Sequence, residues 1–277
     1  MSIVDKQKKG LKRNTIDKYY TKESIVDLCL EKCKEYIHFG DDLIIEPSAG
    51  NGAFIKGIQS ITKNYKFYDI EPAHSEIIKQ DYLQLDLNKL KYKIHIIGNP
   101  PFGRQCSTAI QFIKKSVCHC DSISFILPKS FKKESLQKTF PLCFHLVFEI
   151  DLPENAFLVN GLEHNVPCVF QIWQKKETER KVNEKVIPNH FTFVKEDADP
   201  DISFRRVGVN AGKIEKDTNK SIQSHYFIKF TNIFTDKNKN IEDCMKKLST
   251  ITFENNNTVG PKSISKQELI KEFNKVL

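Results

Sequence analysis

The tetrapeptide Asn99-Pro100-Pro101-Phe102, which closes an apolar run from Lys93 to Gly98, is the segment best equipped for chemistry. The Asn99 side-chain carbonyl and the Pro100 backbone carbonyl are two adjacent hydrogen-bond acceptors. The prolines fix φ and bring no competing N–H, so both acceptors would be presented stiffly. Such a pair suits an amino group conjugated to a purine ring, whose delocalised lone pair must be localised and aimed before it can attack. Phe102 would stack on that ring, or fill a core. Asn-Pro-Pro is equally good chemistry for a strand-terminating turn; the features upstream, in their order, favour the chemical reading.

Those features begin with Glu46-Pro47-Ser48-Ala49-Gly50-Asn51-Gly52, an acid at a strand end followed by two glycines one residue apart. Glycines permit positive φ and let the backbone approach a bulky ligand, although a plain tight turn has the same composition. Asp69 ends the next strand 17 positions beyond Gly52, where an acid can accept hydrogen bonds from both hydroxyls of a ribose. Glu71 stands close by as an alternative. With one glycine pair and no phosphate lysine, the loop suggests a nucleoside without pyrophosphate. Asp81 falls where a third loop should cross the sheet, within reach of the amine of an adenine.

Regular elements must position these groups. Apolar spacing predicts a helix from Lys22 to Tyr36, a strand from Asp42 to Glu46, a helix from Ala53 to Ile61 and a strand from Lys66 to Asp69. After the strand that ends at Gly98 come a helix from Ser107 to Val117, a strand from Ser122 to Leu127 and a helix from Lys132 to Thr139. Strands from Phe144 to Leu152 and from Val166 to Gln174 have no helix between them, which suggests an antiparallel pair closing one edge. This alternation indicates a largely parallel sheet wound on both faces, with ligands at the carboxyl ends of its strands.

Residues 20–174 resemble the class I S-adenosylmethionine-dependent methyltransferases, in particular the amino-methyltransferase branch that carries an Asn-Pro-Pro-aromatic tetrad. The resemblance implies an α/β, Rossmann-like fold with a doubly wound, mixed seven-stranded sheet. It implies catalysis by Asn99, Pro100, Pro101 and Phe102 on the exocyclic N6 amine of adenine, with S-adenosyl-L-methionine as cofactor. Tyr20 and Thr21 would precede a cofactor-covering helix, their Tyr-Thr-Lys departing from the Thr-Pro common in the branch. Glu46, Gly50 and Gly52 would face the methionine moiety, Asp69 the ribose and Asp81 the adenine. Ser48, Ile70, Tyr82 and Asn99 complete the cofactor set. Phe157 is a second candidate stacking face or a core residue, and His164 a candidate phosphate contact or a solvated loop residue.

Beyond Trp173 a charged linker, Lys175 to Lys185, leads to a more β-like region. The expected organisation is a basic arm at 1–19, a catalytic domain at 20–176 and a C-terminal α+β extension at 177–277 for substrate recognition. Strands are expected at Phe191 to Val194, Ile202 to Val207, Tyr226 to Phe230 and Thr250 to Phe253. A loop is expected at Asn255 to Asn257, and a last helix, Ser265 to Val276, that docks by Leu269, Ile270, Phe273 and Val276. Arg205 and Arg206, beside two glycines and ahead of His225-Tyr226-Phe227, suit phosphate contacts, or form a hairpin with solvated charges.

The net charge of +8 agrees with a polyanionic partner. DNA is favoured and RNA is the alternative, including cap-adjacent adenosine in messenger RNA or the N2 amine of guanine in ribosomal RNA. A protein glutamine amide and a non-catalytic nucleic-acid-binding scaffold are weaker readings. Eight cysteines without a CxxC pair argue against a zinc ribbon or a disulfide framework, so no metal is expected. No apolar run is long enough to span a bilayer and Met1 to Tyr20 lacks a signal-like apolar stretch, so an intracellular protein, cytoplasmic or nuclear, is expected.

Overall fold

The computed structural model describes residues 19–88, 92–182, 184–231, 237–253 and 261–277. Apart from Tyr19, the expected basic arm lies outside the described residues, as does the expected loop at Asn255 to Asn257. The chain divides into two compact units, 1–180 and 181–277.

In chain order the first unit contains β1 (Tyr20–Thr21), α1 (Glu23–Tyr36), β2 (Leu43–Glu46), α2 (Ile55–Gln59), β3 (Tyr65–Asp69) and β4 (Ile78–Lys79). It continues with β5 (Ile94–Gly98), α3 (Ser107–Ser116), β6 (Ser122–Pro128), α4 (Glu134–Gln137) and β7 (Phe144–Asp151). The short β8 (Phe157–Val159) and β9 (Leu162–His164) precede β10 (Cys168–Lys175). Seven strands form one mixed sheet in the order β4-β3-β2-β5-β6-β10-β7. From β4 to β6 the neighbours are parallel, whereas β10 is antiparallel to both β6 and β7. This is the α/β, mixed seven-stranded architecture expected, with one refinement: β10 inserts between β6 and β7 and leaves β7 at the edge.

Alternate residues of the strands face opposite layers, so each apolar strand serves two cores. Ile44, Phe67, Ile97, Ile126, Phe170 and Ile172 pack with α1 and α2. Leu43, Ile45, Ile96, Ile123, Phe125, Leu127 and Val169 pack on the other face with α3. From β2 the chain proceeds outward to β3 and β4, then returns to β5 on the opposite side of β2. The switch point therefore lies between the carboxyl ends of β2 and β5, where open α/β sheets leave a crevice.

One expectation in this unit needs correction. The helix expected from Lys132 to Thr139 is a 3-10 turn, Lys129–Lys132, followed by the single-turn α4; Lys133, with ψ 132°, is extended and breaks the run. The unit runs to residue 180. The Arg180 guanidinium donates to the carbonyls of Gln137, Phe140, Pro141 and Phe144 and lies over the Trp173 ring, tying the chain down.

The second unit holds an antiparallel sheet in the order β11-β14-β12-β13, with β11 (Phe191–Val194), β12 (Ile202–Arg205), β13 (Ile214–Glu215) and β14 (His225–Phe230). The helices α5 (Lys237–Leu248) and α6 (Lys266–Phe273) follow. Phe191, Phe204, Ile228, Leu248, Leu269 and Phe273 share its core. Ser265 and Glu268 form a reciprocal capping box that fixes where α6 starts. The strand expected at Thr250 to Phe253 is absent. The N–H groups of Ser249, Thr250 and Ile251 donate back to Met245, Lys247 and Leu248, so this stretch begins as the closing turn of α5. Among the described residues, no helix is long and apolar enough to cross a membrane.

Candidate active site at the switch point

A cavity of about 420 Å³ opens at the carboxyl ends of β2, β3 and β5. Its walls bring together Tyr20, Thr21, Glu46, Ser48, Gly50, Asp69, Ile70, Asp81, Tyr82, Asn99 and Pro101, drawn from five separate stretches of chain.

Three of the loops are pinned to one another. Asp69 accepts from the Gly50 N–H (2.8 Å) with one oxygen and from the Glu71 N–H (2.8 Å) with the other. Each carboxylate oxygen has a further lone pair to offer. Ser48 Oγ donates to the Asn99 carbonyl (3.0 Å), joining the loop after β2 to the loop after β5. Gly50 has φ +53°, and a Cβ there would come within 3.3 Å of the Tyr20 ring. Gly98 has φ +152°, and a Cβ would press within 3.1 Å of Glu46 Cγ. The close approach of β5 to Glu46 therefore needs glycine.

Asn99 is held on one side only. Its Nδ2 donates to the Tyr19 carbonyl (3.3 Å) and to Thr21 Oγ1 (3.2 Å). A backbone carbonyl can only accept, which fixes the orientation of the amide. Among the described residues its Oδ1 is left buried with no partner. Glu46 is the second such group: it is 2% exposed, with Oε2 unpartnered. Burial, with the Asp69 charge adding to it, raises the Glu46 carboxyl well above its ordinary range. Unsatisfied buried acceptors are costly, so two in one cavity mark a place built for hydrogen-bond donors.

The opposite wall suits a flat apolar group. Ile70 is 56% exposed at the rim, and Leu83 and Phe112 lie on the same cavity. Tyr82 stacks on Phe112 (5.4 Å) and bonds to Ser116 (2.8 Å), so it serves as a buried support. Asp81 is exposed; its Oδ1 accepts from the Leu83 N–H (2.9 Å), and this braces the third loop.

The remaining candidates lie elsewhere. Gly52, Pro100 and Phe102 adjoin the cavity in sequence but do not line it, and half-buried Phe102 packs against the core on the α1 side. Phe157 takes the core alternative: its ring is fully buried in that core, edge-on to Tyr19 at 6.4 Å. His164 lies in β9, its ring 5.3 Å from that of Tyr19. Arg205 and Arg206 belong to the second unit. There Arg205 turns back to the Val207 carbonyl and the Arg206 guanidinium lies over Tyr226.

Sequence reading missed the supports. Tyr19 acts through its carbonyl, which no side-chain motif could signal. Thr108 and Phe112 enter from the start of α3, where Gln105 (φ 52°) and Cys106 (φ 64°) take left-handed backbone. Strain of this kind recurs where a chain must hold a loop in one shape.

A different constellation, Asp42 to His95 Nε2 (3.1 Å) and His95 Nδ1 to Ser122 Oγ (2.7 Å), has the order of a hydrolytic triad. It sits at the amino ends of the strands, and Ser122 is 1% exposed, so no substrate reaches it. Among the described residues, no group of three or more His, Cys, Asp or Glu could hold a metal ion.

Fold and site together define an α/β protein with a nucleoside-sized crevice at its switch point. No protein family and no curated protein matches the chain. Solved structures resemble it in fold. A candidate RNA methyltransferase from Pyrococcus horikoshii is 14% identical over 61% of this chain and 92% of its own, with a TM-score of 0.48. The modification subunit of a candidate type I restriction enzyme from Vibrio vulnificus is 13% identical over 57% and 44% (TM-score 0.43). The N-methyltransferase NodS from Bradyrhizobium japonicum, in complex with S-adenosyl-l-homocysteine, is 13% identical over 56% and 87% (TM-score 0.40). Similarities at this level leave each residue's role to be argued from the site.

Proposed function

We propose that this chain is an S-adenosylmethionine-dependent methyltransferase acting on the exocyclic N6 amine of adenine in nucleic acid, with DNA favoured over RNA. The observation that carries the proposal is the Asn99 Oδ1 atom, buried and unpartnered in the same cavity as Glu46, Asp69 and Asp81.

The residues present fit the cofactor. Glu46 offers an orphaned acceptor to an ammonium group, Asp69 keeps lone pairs for two ribose hydroxyls, and Gly50, lacking a Cβ, lets the Tyr20 ring close over the loop. Ile70, Leu83 and Phe112 give a purine ring apolar surface, and Asp81 is placed to meet its amine. When bound, S-adenosylmethionine supplies an electrophilic methyl group.

This chain's own part is to prepare the amine. Asn99 Oδ1 accepts one N6 hydrogen and the Pro100 carbonyl the other, which localises the nitrogen lone pair. The target base must leave its stack to reach them, and we assign Phe102, half-buried against the core beside Pro101, to receive it. No strong base is required, because the nitrogen becomes very acidic once it has attacked. In the second unit, Arg205 and Arg206 are assigned to phosphate.

Asn99→Ala tests the assignment. Turnover is expected to fall by on the order of a hundredfold or more, with cofactor affinity by calorimetry nearly unchanged. Equal loss of both would make Asn99 a structural residue.

A further inference from the structure

The second unit has a cavity of its own, lined in part by Arg206. It is an open groove of about 990 Å³ between β11, β14 and the start of α6. Phe193 and Tyr226 form its aromatic wall, their centroids 5.6 Å apart and their planes at 76°. Two cations lie on these rings. Arg206 is 5.3 Å from the Tyr226 centroid, and Lys266 Nζ is 4.6 Å from that of Phe193 and 5.7 Å from that of Tyr226. Arg206 also donates to the Gln223 carbonyl (2.9 Å). Neither cation pairs with a carboxylate among the described residues. At the rim, Ile222 is exposed, and Glu196 and Asp197 line the same groove.

We propose that this groove holds one unstacked nucleotide of a nucleic-acid strand. Its base lies against Phe193 and Tyr226, and the adjoining phosphate is taken by Arg206 and Lys266. Among the described residues, exposed Lys266 is tethered by its ring contacts alone, so it can move to the phosphate as the base takes its place. Glu196 and Asp197 turn phosphates away from their side of the groove and give the strand a direction. The inference deepens the assignment of the second unit to nucleic-acid recognition and rests on it, but it does not depend on methyl transfer.

The test is fluorescence anisotropy with the full chain and labelled single strands of roughly 12 nucleotides, as DNA, as RNA and as an abasic backbone. Phe193→Leu keeps apolar volume without a stacking face, and Lys266→Gln removes one unpaired surface charge; melting curves confirm that both fold. Phe193→Leu should weaken binding about tenfold on the strand type that the chain prefers and leave the abasic strand unaffected. Lys266→Gln should weaken all strands and lower the salt slope by about 1. Unchanged affinity in Phe193→Leu, or wild-type binding to the abasic strand as tight as to the others, would overturn the proposal. Methyl transfer is assayed separately. If it were absent while Phe193→Leu lost binding, the methyltransferase reading would fail and this one would stand.

Discussion

Glu46 and Asn99 carry the same physical signature, a buried oxygen with nothing to accept from, and they answer to different partners. For Glu46 the consequence can be worked out in pH. Burial and the neighbouring Asp69 charge raise its folded-state pKa, so the folded chain still holds a proton that the unfolded chain has released. Its contribution to stability is whole below the ordinary carboxyl range and is lost as pH rises toward the folded value. Glu46→Gln should therefore raise the melting temperature at neutral pH by on the order of 3 °C, with no gain in acid, as scanning calorimetry would show. The same variant should bind S-adenosylmethionine more weakly. A bound ammonium favours the carboxylate, so wild-type binding should release a proton and tighten with rising pH. Titration calorimetry in two buffers of different ionisation enthalpy measures that release, and none is expected from Glu46→Gln.

Among the elements, the smallest strand has the most to do with Asn99. β1 is two residues long and exists because Tyr20 and Thr21 pair with Leu158 and Phe157 of β8. Through it the Tyr19 carbonyl and the Thr21 hydroxyl grip Asn99 Nδ2. Thr21→Val keeps the β-branched shape and removes the hydroxyl; it should lower kcat roughly tenfold with little change in cofactor affinity, and Thr21→Ser should restore activity. A Thr21→Val enzyme with normal kcat would mean that the Tyr19 carbonyl suffices. This division also explains what the sequence made legible. The core strands could be read because apolar runs such as Leu43 to Glu46 and Ile94 to Gly98 end in an acid or in Asn-Pro-Pro. β1, β8 and β9 could not, since strands of two or three residues owe their existence to distant partners. α5 was hidden by its charge, although Ile241, Cys244, Met245 and Leu248 keep helical spacing. The β-branched residues of Thr250 to Phe253 mimicked a strand where the structure needed a helix end. Phe157 could be read either way, because an aromatic residue in a loop-rich region has the same local signature as a stacking platform or as core.

At the scale of the molecule, the two units have separate cores and meet in sequence just after Arg180, which is clamped by four carbonyls. Farther on, Val186 and Asn189 are tied to Gln267 and Asn274. Lys181 and Lys185 lie between these anchors and are exposed, so limited trypsin digestion should cut there first and give two folded fragments. First cuts inside the seven-stranded sheet would contradict the division. The unit with the crevice is assigned the chemistry and the unit with the aromatic-basic groove the strand, so the proposed activity should require both units. The most direct test of the central claim is incubation of that chain with labelled S-adenosylmethionine and duplex DNA, single-stranded DNA, and capped and uncapped RNA, followed by nucleoside analysis. The predicted product is N6-methylated adenine, most abundant from DNA; label on guanine or on protein, with none on adenine, would contradict it.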